Sequence, residues 1–130
     1  MRLLGIDHVV IRARDPAAME RFYVEVLGCA VERRQDAIGL VQLRAGAQLI
    51  DLIDVAGRLG RMGGAAPGPE GRNMDHLCLR VADFDVDTVR AHLEANGVAI
   101  GDIGERYGST GEAVSLYLSD PEGNGLELRG

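Results

Sequence analysis

The residues best suited to metal binding or acid–base chemistry are two histidines and two carboxylates placed in apolar stretches. His8 and His76 each open such a stretch, while Asp51 and Glu127 are each flanked by apolar residues. Buried ionisable groups are normally neutralised or held by a partner. Because imidazole and carboxylate donors together suit a divalent metal ion, the four residues are candidate metal ligands.

The two histidines belong to an internal repeat. His8 is followed seven residues later by Asp15, and His76 is followed seven residues later by Asp83. The stretch that begins at each histidine is apolar, has strand propensity and ends in an arginine. The histidines are 68 residues apart, so the chain uses one pattern of about half its length twice.

A helix is predicted after each of these strands. Asp15 is a suitable N-cap, Pro16 suits the first helical position and Gly28 ends the first helix. Asp83 or Asp85 caps the second helix, and Gly97 ends it. The apolar residues at helical spacing are Met19, Phe22, Tyr23, Val26 and Leu27 in the first helix, and Val86, Val89 and Leu93 in the second.

Three further strands are predicted in each half. They cover residues 30–34, 39–43 and 47–55, and then residues 98–103, 113–119 and 125–129. Each half is therefore a βαβββ module, the first at about 1–56 and the second at about 74–130. Residues 57–73, termed the joining segment, are rich in Gly, Pro and Ala and are predicted to be a linker or a mobile loop.

Composition restricts the class of protein. The 130 residues, 46% of them hydrophobic, suit a single soluble domain. A net charge of −6 argues against nucleic-acid binding, and the absence of lysine excludes Schiff-base catalysis and a lysine-containing P-loop. No apolar run reaches the ~20 residues of a membrane helix, and no signal peptide is evident, so a cytoplasmic location is expected. Cys29 and Cys78 are expected to be free, buried thiols.

Strand alternation predicts which side chains share a face with the histidines. His8 shares its face with Val10 and Arg12, and His76 shares its face with Cys78 and Arg80, in both cases away from the helix-covered face. If the sheet curls, these faces line one concave cavity. The residues expected to contact a substrate there are Arg12, Cys78, Tyr107 and Tyr117, with Val10 and Met74 as further lining.

The chain resembles the vicinal oxygen chelate superfamily, which includes glyoxalase I, bleomycin-binding proteins and extradiol dioxygenases. The resemblance is carried by the two modules, by the Asp7-His8-Val9 and Asp75-His76-Leu77 openings and by the closing motif at residues 115–128. It implies an α+β fold in which two βαβββ modules form a cupped, incompletely closed eight-stranded mixed sheet with helices outside. It also implies a homodimer, with His8, His76 and Glu127 at metal-ligand positions and Asp51 at that of a fourth ligand.

The resemblance further implies a metal-dependent lyase or isomerase of the glyoxalase type. Ni, Co, Zn, Mn or Fe would chelate neighbouring oxygens of a small substrate, and Glu127 or Asp51 would move a proton through an enediolate. The alternatives are a non-catalytic antibiotic-binding protein, an iron-dependent extradiol dioxygenase and a fosfomycin-type thiol transferase. Retention of all four ligand candidates favours the enzyme over the binding protein.

Overall fold

A computed structural model describes residues 1–130 and contains two four-stranded mixed sheets. The strands of the first sheet are β1 (His8–Ala13), β2 (Ala30–Gln35), β3 (Leu40–Ala45) and β4 (Gln48–Asp54). Those of the second sheet are β5 (His76–Arg80), β6 (Ile103–Gly108), β7 (Gly111–Ser119) and β8 (Gly125–Arg129). The helices are α1 (Pro16–Arg21), which continues as a π-helical turn (Phe22–Val26), and α2 (Val86–Ala95); 3-10 turns lie at Asp36–Ile38 and Gly60–Gly63.

The two sheets have the same topology. Their strand orders are β1-β4-β3-β2 and β5-β8-β7-β6, so the first strand of each module pairs with the last. That pairing is parallel, whereas the other pairings are antiparallel. The predicted α+β fold of two βαβββ modules is confirmed. The chain divides into two compact units, Met1–Asn73 and Met74–Gly130, and none of its helices has the length and apolarity to span a membrane.

The helices form where the capping residues predict. Asp15 accepts a hydrogen bond from the Ala18 amide at 2.9 Å, and Asp85 accepts one from the Thr88 amide at 2.9 Å. Gly28 and Gly97 follow the helices with φ of 74° and 72°, values that favour glycine. In each unit the helix covers one face of the sheet. Three of the apolar helical residues predicted from the sequence, Met19, Tyr23 and Leu93, are therefore at most 1% exposed.

One predicted strand is wrong. The strand expected at residues 98–103 lies instead at Ile103–Gly108. The Val98 amide donates to the Leu93 carbonyl at 2.9 Å. The first residue of the predicted strand therefore belongs to the C-terminal end of α2. The observed strand β6 is an edge strand with alternating exposed residues, so it lacks the apolar pattern by which a buried strand is predicted.

The joining segment is attached to the first unit. The Arg12 guanidinium donates to the carbonyls of Gly60, Gly64 and Ala65 at 2.9–3.0 Å, and the Asn73 amide bonds the backbone of Arg12 at 3.0 and 3.1 Å. A Cβ at Gly60 would lie 2.0 Å from the Asp54 carbonyl oxygen, so only glycine fits at this close approach. The segment therefore forms part of the unit to which β1 belongs.

The turn between β7 and β8 is built around a buried carboxylate, Asp120, which is 5% exposed. Its oxygens accept hydrogen bonds from the amides of Glu122 at 3.0 Å and Asn124 at 2.9 Å, and from Asn124 Nδ2 at 2.7 Å. Gly123 supplies the positive φ of 81° in the same turn. Because β8 begins directly after this turn, Asp120 sets the position at which the strand carrying Glu127 enters the sheet.

Replacement of Asp120 by alanine is expected to lower the free energy of unfolding by about 2–3 kcal/mol, because it leaves buried donors without an acceptor. Denaturant unfolding measures the change. The control is Asp36→Ala, which removes an exposed carboxylate and should change the free energy by less than about 0.5 kcal/mol. Equal effects of the two substitutions would contradict the role of the Asp120 carboxylate as the acceptor that stabilises this turn.

Candidate functional site

The second unit places a histidine beside a buried carboxylate. His76 begins β5, and Glu127 lies in β8, the strand parallel to it. His76 Nε2 lies 3.2 Å from Glu127 Oε2. Glu127 is only 6% exposed, whereas the His76 side chain is 36% exposed. His76 and Glu127, termed the second pair, therefore combine a half-exposed imidazole with a buried carboxylate.

Neighbouring side chains hold Glu127 in its ionised, carboxylate form. The Tyr117 hydroxyl donates to Glu127 Oε2 at 3.0 Å, and the Ser115 hydroxyl donates to Oε1. Burial raises the pKa of Glu127, but the hydrogen bonds from Ser115 and Tyr117 and the charge of His76 outweigh it and lower the pKa below its ordinary value. Glu127 is therefore ionised at neutral pH, as a metal ligand or a general base requires.

The first unit contains a similar pair. Asp51 in β4 is 5% exposed, and Gln42 Nε2 lies 3.1 and 3.2 Å from its two carboxylate oxygens. His8 begins the neighbouring parallel strand β1. A hydrogen bond to Asp7 raises the pKa of His8 above its ordinary value, and the charge of Asp51 adds to this effect. His8 and Asp51 are termed the first pair.

Strand register makes the two pairs equivalent. Asp51 is opposite Val10, and Glu127 is opposite Cys78, so each carboxylate is paired with the residue two positions after the histidine. Since alternate residues share a face of a strand, each carboxylate lies on the same face as its histidine. Asp51 and Glu127 therefore occupy equivalent positions in their two sheets.

Both histidines are oriented by the residue before them. His8 Nδ1 is 2.7 Å from Asp7 Oδ1, and His76 Nδ1 is 2.6 Å from Asp75 Oδ2. A carboxylate that accepts from Nδ1 fixes the ring and leaves Nε2 as the ligand nitrogen, an arrangement common around protein metal sites. Sequence reasoning did not assign this role to Asp7 and Asp75, although the repeated Asp-His dipeptide is a signal for it.

The donor chemistry of the two pairs fits a divalent metal ion. Each pair offers one imidazole nitrogen and one buried carboxylate, the mixed set suited to Ni, Co, Zn, Mn or Fe. No group of three or more His, Cys, Asp or Glu side chains forms a candidate metal site. The four predicted ligands instead lie as two pairs, one in each unit.

Two of the residues predicted to contact substrate lie on the same face as Glu127. Tyr117 bonds its carboxylate directly, and its ring centroid lies 5.7 Å from that of His76. Cys78 pairs with Glu127 in register. The prediction that Cys78 is buried is wrong, because it is an exposed free thiol, whereas Cys29 is buried and free as predicted. Desolvation and the charge of Glu127 raise the pKa of Cys78, so its thiol stays protonated at neutral pH.

Tyr107 and Arg12, the other two residues predicted to contact a substrate, have different surroundings. Tyr107 is 84% exposed, and the β6–β7 register puts it on the face of the sheet opposite Glu127. The structure therefore does not bring Tyr107 to the second pair. Arg12 lies on the face of His8, but its two terminal nitrogens donate to carbonyls of the joining segment. Its contacts are those of an anchor for that segment.

Comparison with known proteins assigns the family. Residues 5–128 match the model of the Glyoxalase/Bleomycin resistance protein/Dioxygenase superfamily, and the chain belongs to this superfamily.

Individual relatives agree with the family in sequence and in fold. Virulence protein STM3117 of Salmonella typhimurium is 34% identical over 128 residues, covering 95% of this chain and 81% of that protein. Its crystal structure superposes with a TM-score of 0.80 at 28% identity, over 99% of this chain and 98% of that one. Lactoylglutathione lyase of Agrobacterium tumefaciens gives a TM-score of 0.73 at 25% identity, over 99% and 95% of the two chains.

Replacement of Tyr117 by phenylalanine is expected to raise the pKa of Glu127, because one hydrogen bond to the charged carboxylate is lost. A depressed carboxyl pKa stabilises the fold above the unfolded-state pKa, and this contribution disappears as the pH falls through the folded-state pKa. Tyr117→Phe should therefore cost roughly 1–2 kcal/mol at pH 7, and the cost should decrease as the pH falls through the folded-state pKa of Glu127, so that it is smaller at pH 3 than at pH 7.

Denaturant unfolding at both pH values, on chelator-treated protein, measures this effect. The matched control is Tyr107→Phe on the opposite face of the same sheet, which should leave the free energy of unfolding unchanged at both pH values. A loss in Tyr117→Phe that is equally large at pH 3 would show that the hydroxyl acts through packing and not through Glu127.

Proposed function

We propose that the protein is a metal-dependent enzyme of the glyoxalase type, a lyase or isomerase that acts on a small substrate with two neighbouring oxygen atoms. His8, Asp51, His76 and Glu127 are the proposed ligands of a divalent ion. The observation that supports this proposal is the equivalence of the two pairs, in which each histidine has its Nδ1 bonded to an aspartate and a buried carboxylate two register positions away.

When bound, a divalent ion with open coordination positions polarises the substrate oxygens and stabilises negative charge as a C–H proton is removed. The protein supplies the base. Glu127 is ionised at neutral pH and is the first candidate to take the proton from one carbon and return it to the next. Asp51, buried and bonded by Gln42, is the equivalent candidate in the first unit.

Tyr117 and Ser115 position Glu127 for this role. Their hydroxyls hold both carboxylate oxygens, so the carboxylate is fixed before a substrate arrives. The pKa of Tyr117 is raised, chiefly by desolvation and by its bond to Glu127, so the hydroxyl remains a donor at neutral pH. We further propose that the protein acts in the cytoplasm as a homodimer.

The proposal predicts stoichiometric metal in protein purified without chelators, measured by elemental analysis. His8→Ala and Glu127→Ala should each remove most of the metal, because each deletes one ligand. His92→Ala is the matched control, since His92 is an exposed residue of α2 and its loss should leave the metal content unchanged. Light scattering on the same samples checks the homodimer. Native protein that stays metal-free after addition of Ni, Co, Zn, Mn or Fe would sink the proposal.

The orienting aspartates give a second prediction. Asp7→Asn and Asp75→Asn should each weaken metal affinity by about 10–100-fold, because an amide is a poorer acceptor for the Nδ1 proton. Competition with a fluorescent chelator measures the affinity. Asp83→Asn, which follows the second histidine by seven residues and contributes no bond to it, should bind metal as the native protein does. Unchanged affinity in both Asp7→Asn and Asp75→Asn would remove the orienting role.

A further inference from the structure

The face of the first sheet that carries His8 and Asp51 continues into a cavity of about 510 Å³ that is widely open to solvent. Its lining residues are Val10, Arg12 and Ile53 from the sheet, with Leu59, Met62, Gly63 and Asn73 from the joining segment. Pockets that bind small molecules have volumes of about 300–1,000 Å³, so a substrate-sized group fits.

The cavity begins where the first pair ends. Val10 lies opposite Asp51 in the parallel register, and the next residues on that face, Arg12 and Ile53, lie opposite each other. A strand advances about 3.3 Å per residue, so each of these side chains is about 7 Å further along its strand than the preceding one on that face. A molecule with its oxygens at His8 and Asp51 can therefore extend directly into the cavity.

The polar groups of the lining are already used by the protein. The terminal nitrogens of Arg12 donate to three carbonyls of the joining segment, and the Asn73 amide bonds the Arg12 backbone on both sides. Arg12 Nε has no hydrogen-bond partner, but Gly63 covers it so closely that a Cβ there would lie 2.6 Å from the nitrogen. The lining that remains for a ligand is mainly apolar.

That apolar lining includes an exposed methionine. Met62 is 80% exposed and lies on the 3-10 turn Gly60–Gly63, which Arg12 holds in place. Methionine is flexible and polarisable, and it adapts to apolar groups of different shape. An exposed apolar side chain beside a cavity gains free energy by covering an apolar ligand.

We propose that this cavity receives an aliphatic substituent of the substrate, and that Leu59 and Met62 determine the length accepted. The substrate class is then a small molecule with two neighbouring oxygens and a short apolar chain. This inference rests on the proposed function for the position of the oxygens, but the cavity itself binds the chain whether or not a metal ion is present.

The test uses the 1,2-diols from propane-1,2-diol to octane-1,2-diol, in which the oxygen pair is constant and the chain grows. Binding to chelator-treated protein is followed by NMR of ¹³C-labelled methionine and isoleucine methyl groups. Met62 and Ile53 should shift, whereas Met19, 0% exposed in the core of the same unit, should not. Affinity should rise about fourfold per added methylene until the cavity is filled.

Two variants test whether Met62 and Leu59 cause the dependence of affinity on chain length. Met62→Gln keeps the size of an exposed side chain, so it should not disturb folding, and Leu59→Ala shortens a second side chain of the lining. Each should weaken binding of hexane-1,2-diol about four- to tenfold while changing propane-1,2-diol less than twofold. Leu4→Gln, which alters an apolar residue that is 89% exposed outside the cavity, is the matched control.

Equal affinity for the shortest and longest diols, or a chain-length dependence that persists in both Met62→Gln and Leu59→Ala, would overturn the inference. Repeating the diol-binding measurement with metal-loaded protein separates the cavity inference from the proposed function. Failure to bind metal would sink the proposed function and leave the chain-length dependence intact. Metal binding without chain-length dependence would sink only the cavity assignment.

Discussion

The parallel pairing of the first strand with the last strand in each module is the constraint on which the site depends. It brings together residues that are more than forty positions apart in the chain, and its register sets which carboxylate faces which histidine. A shift by one residue would turn Asp51 or Glu127 to the helix-covered face, where no donor would hold its charge. The helices, the Asp120 turn and the two antiparallel pairings in each sheet all serve to maintain this register.

The two carboxylates stay buried because the protein supplies donors at the neighbouring strand. Gln42 does this for Asp51, and Tyr117 with Ser115 does it for Glu127. A buried carboxylate without such donors would be protonated or would destabilise the fold. The third strand of each module is thus as necessary to the site as the two strands that carry the candidate ligands.

Much of this arrangement could be predicted from the sequence, because it follows from short-range patterns. The repeat located both histidines, and strand alternation assigned His76 and Cys78 to one face of the second sheet. Features that depend on strand register or on loop contacts could not be predicted. Tyr107, which the sequence predicts to contact a substrate, lies on the face of the sheet opposite Glu127. The strand β6 begins later than predicted because an edge strand has little apolar pattern, and the contacts that attach residues 57–73 to Arg12 join positions about fifty residues apart. The exposure of Cys78 likewise depends on packing, which a local pattern does not specify.

Each His–carboxylate pair is contained within its own module, and this has an evolutionary consequence. The orienting aspartate, the histidine, the carboxylate and its donor all lie within one module, so a mutation in one pair leaves the covalent and hydrogen-bonded surroundings of the other untouched. The difference between the amide donor in one module and the two hydroxyl donors in the other is the kind of divergence this allows. A duplicated module of this design can lose or exchange a single donor while the other copy retains its own, which gives natural selection a gradual route from one chemistry to another.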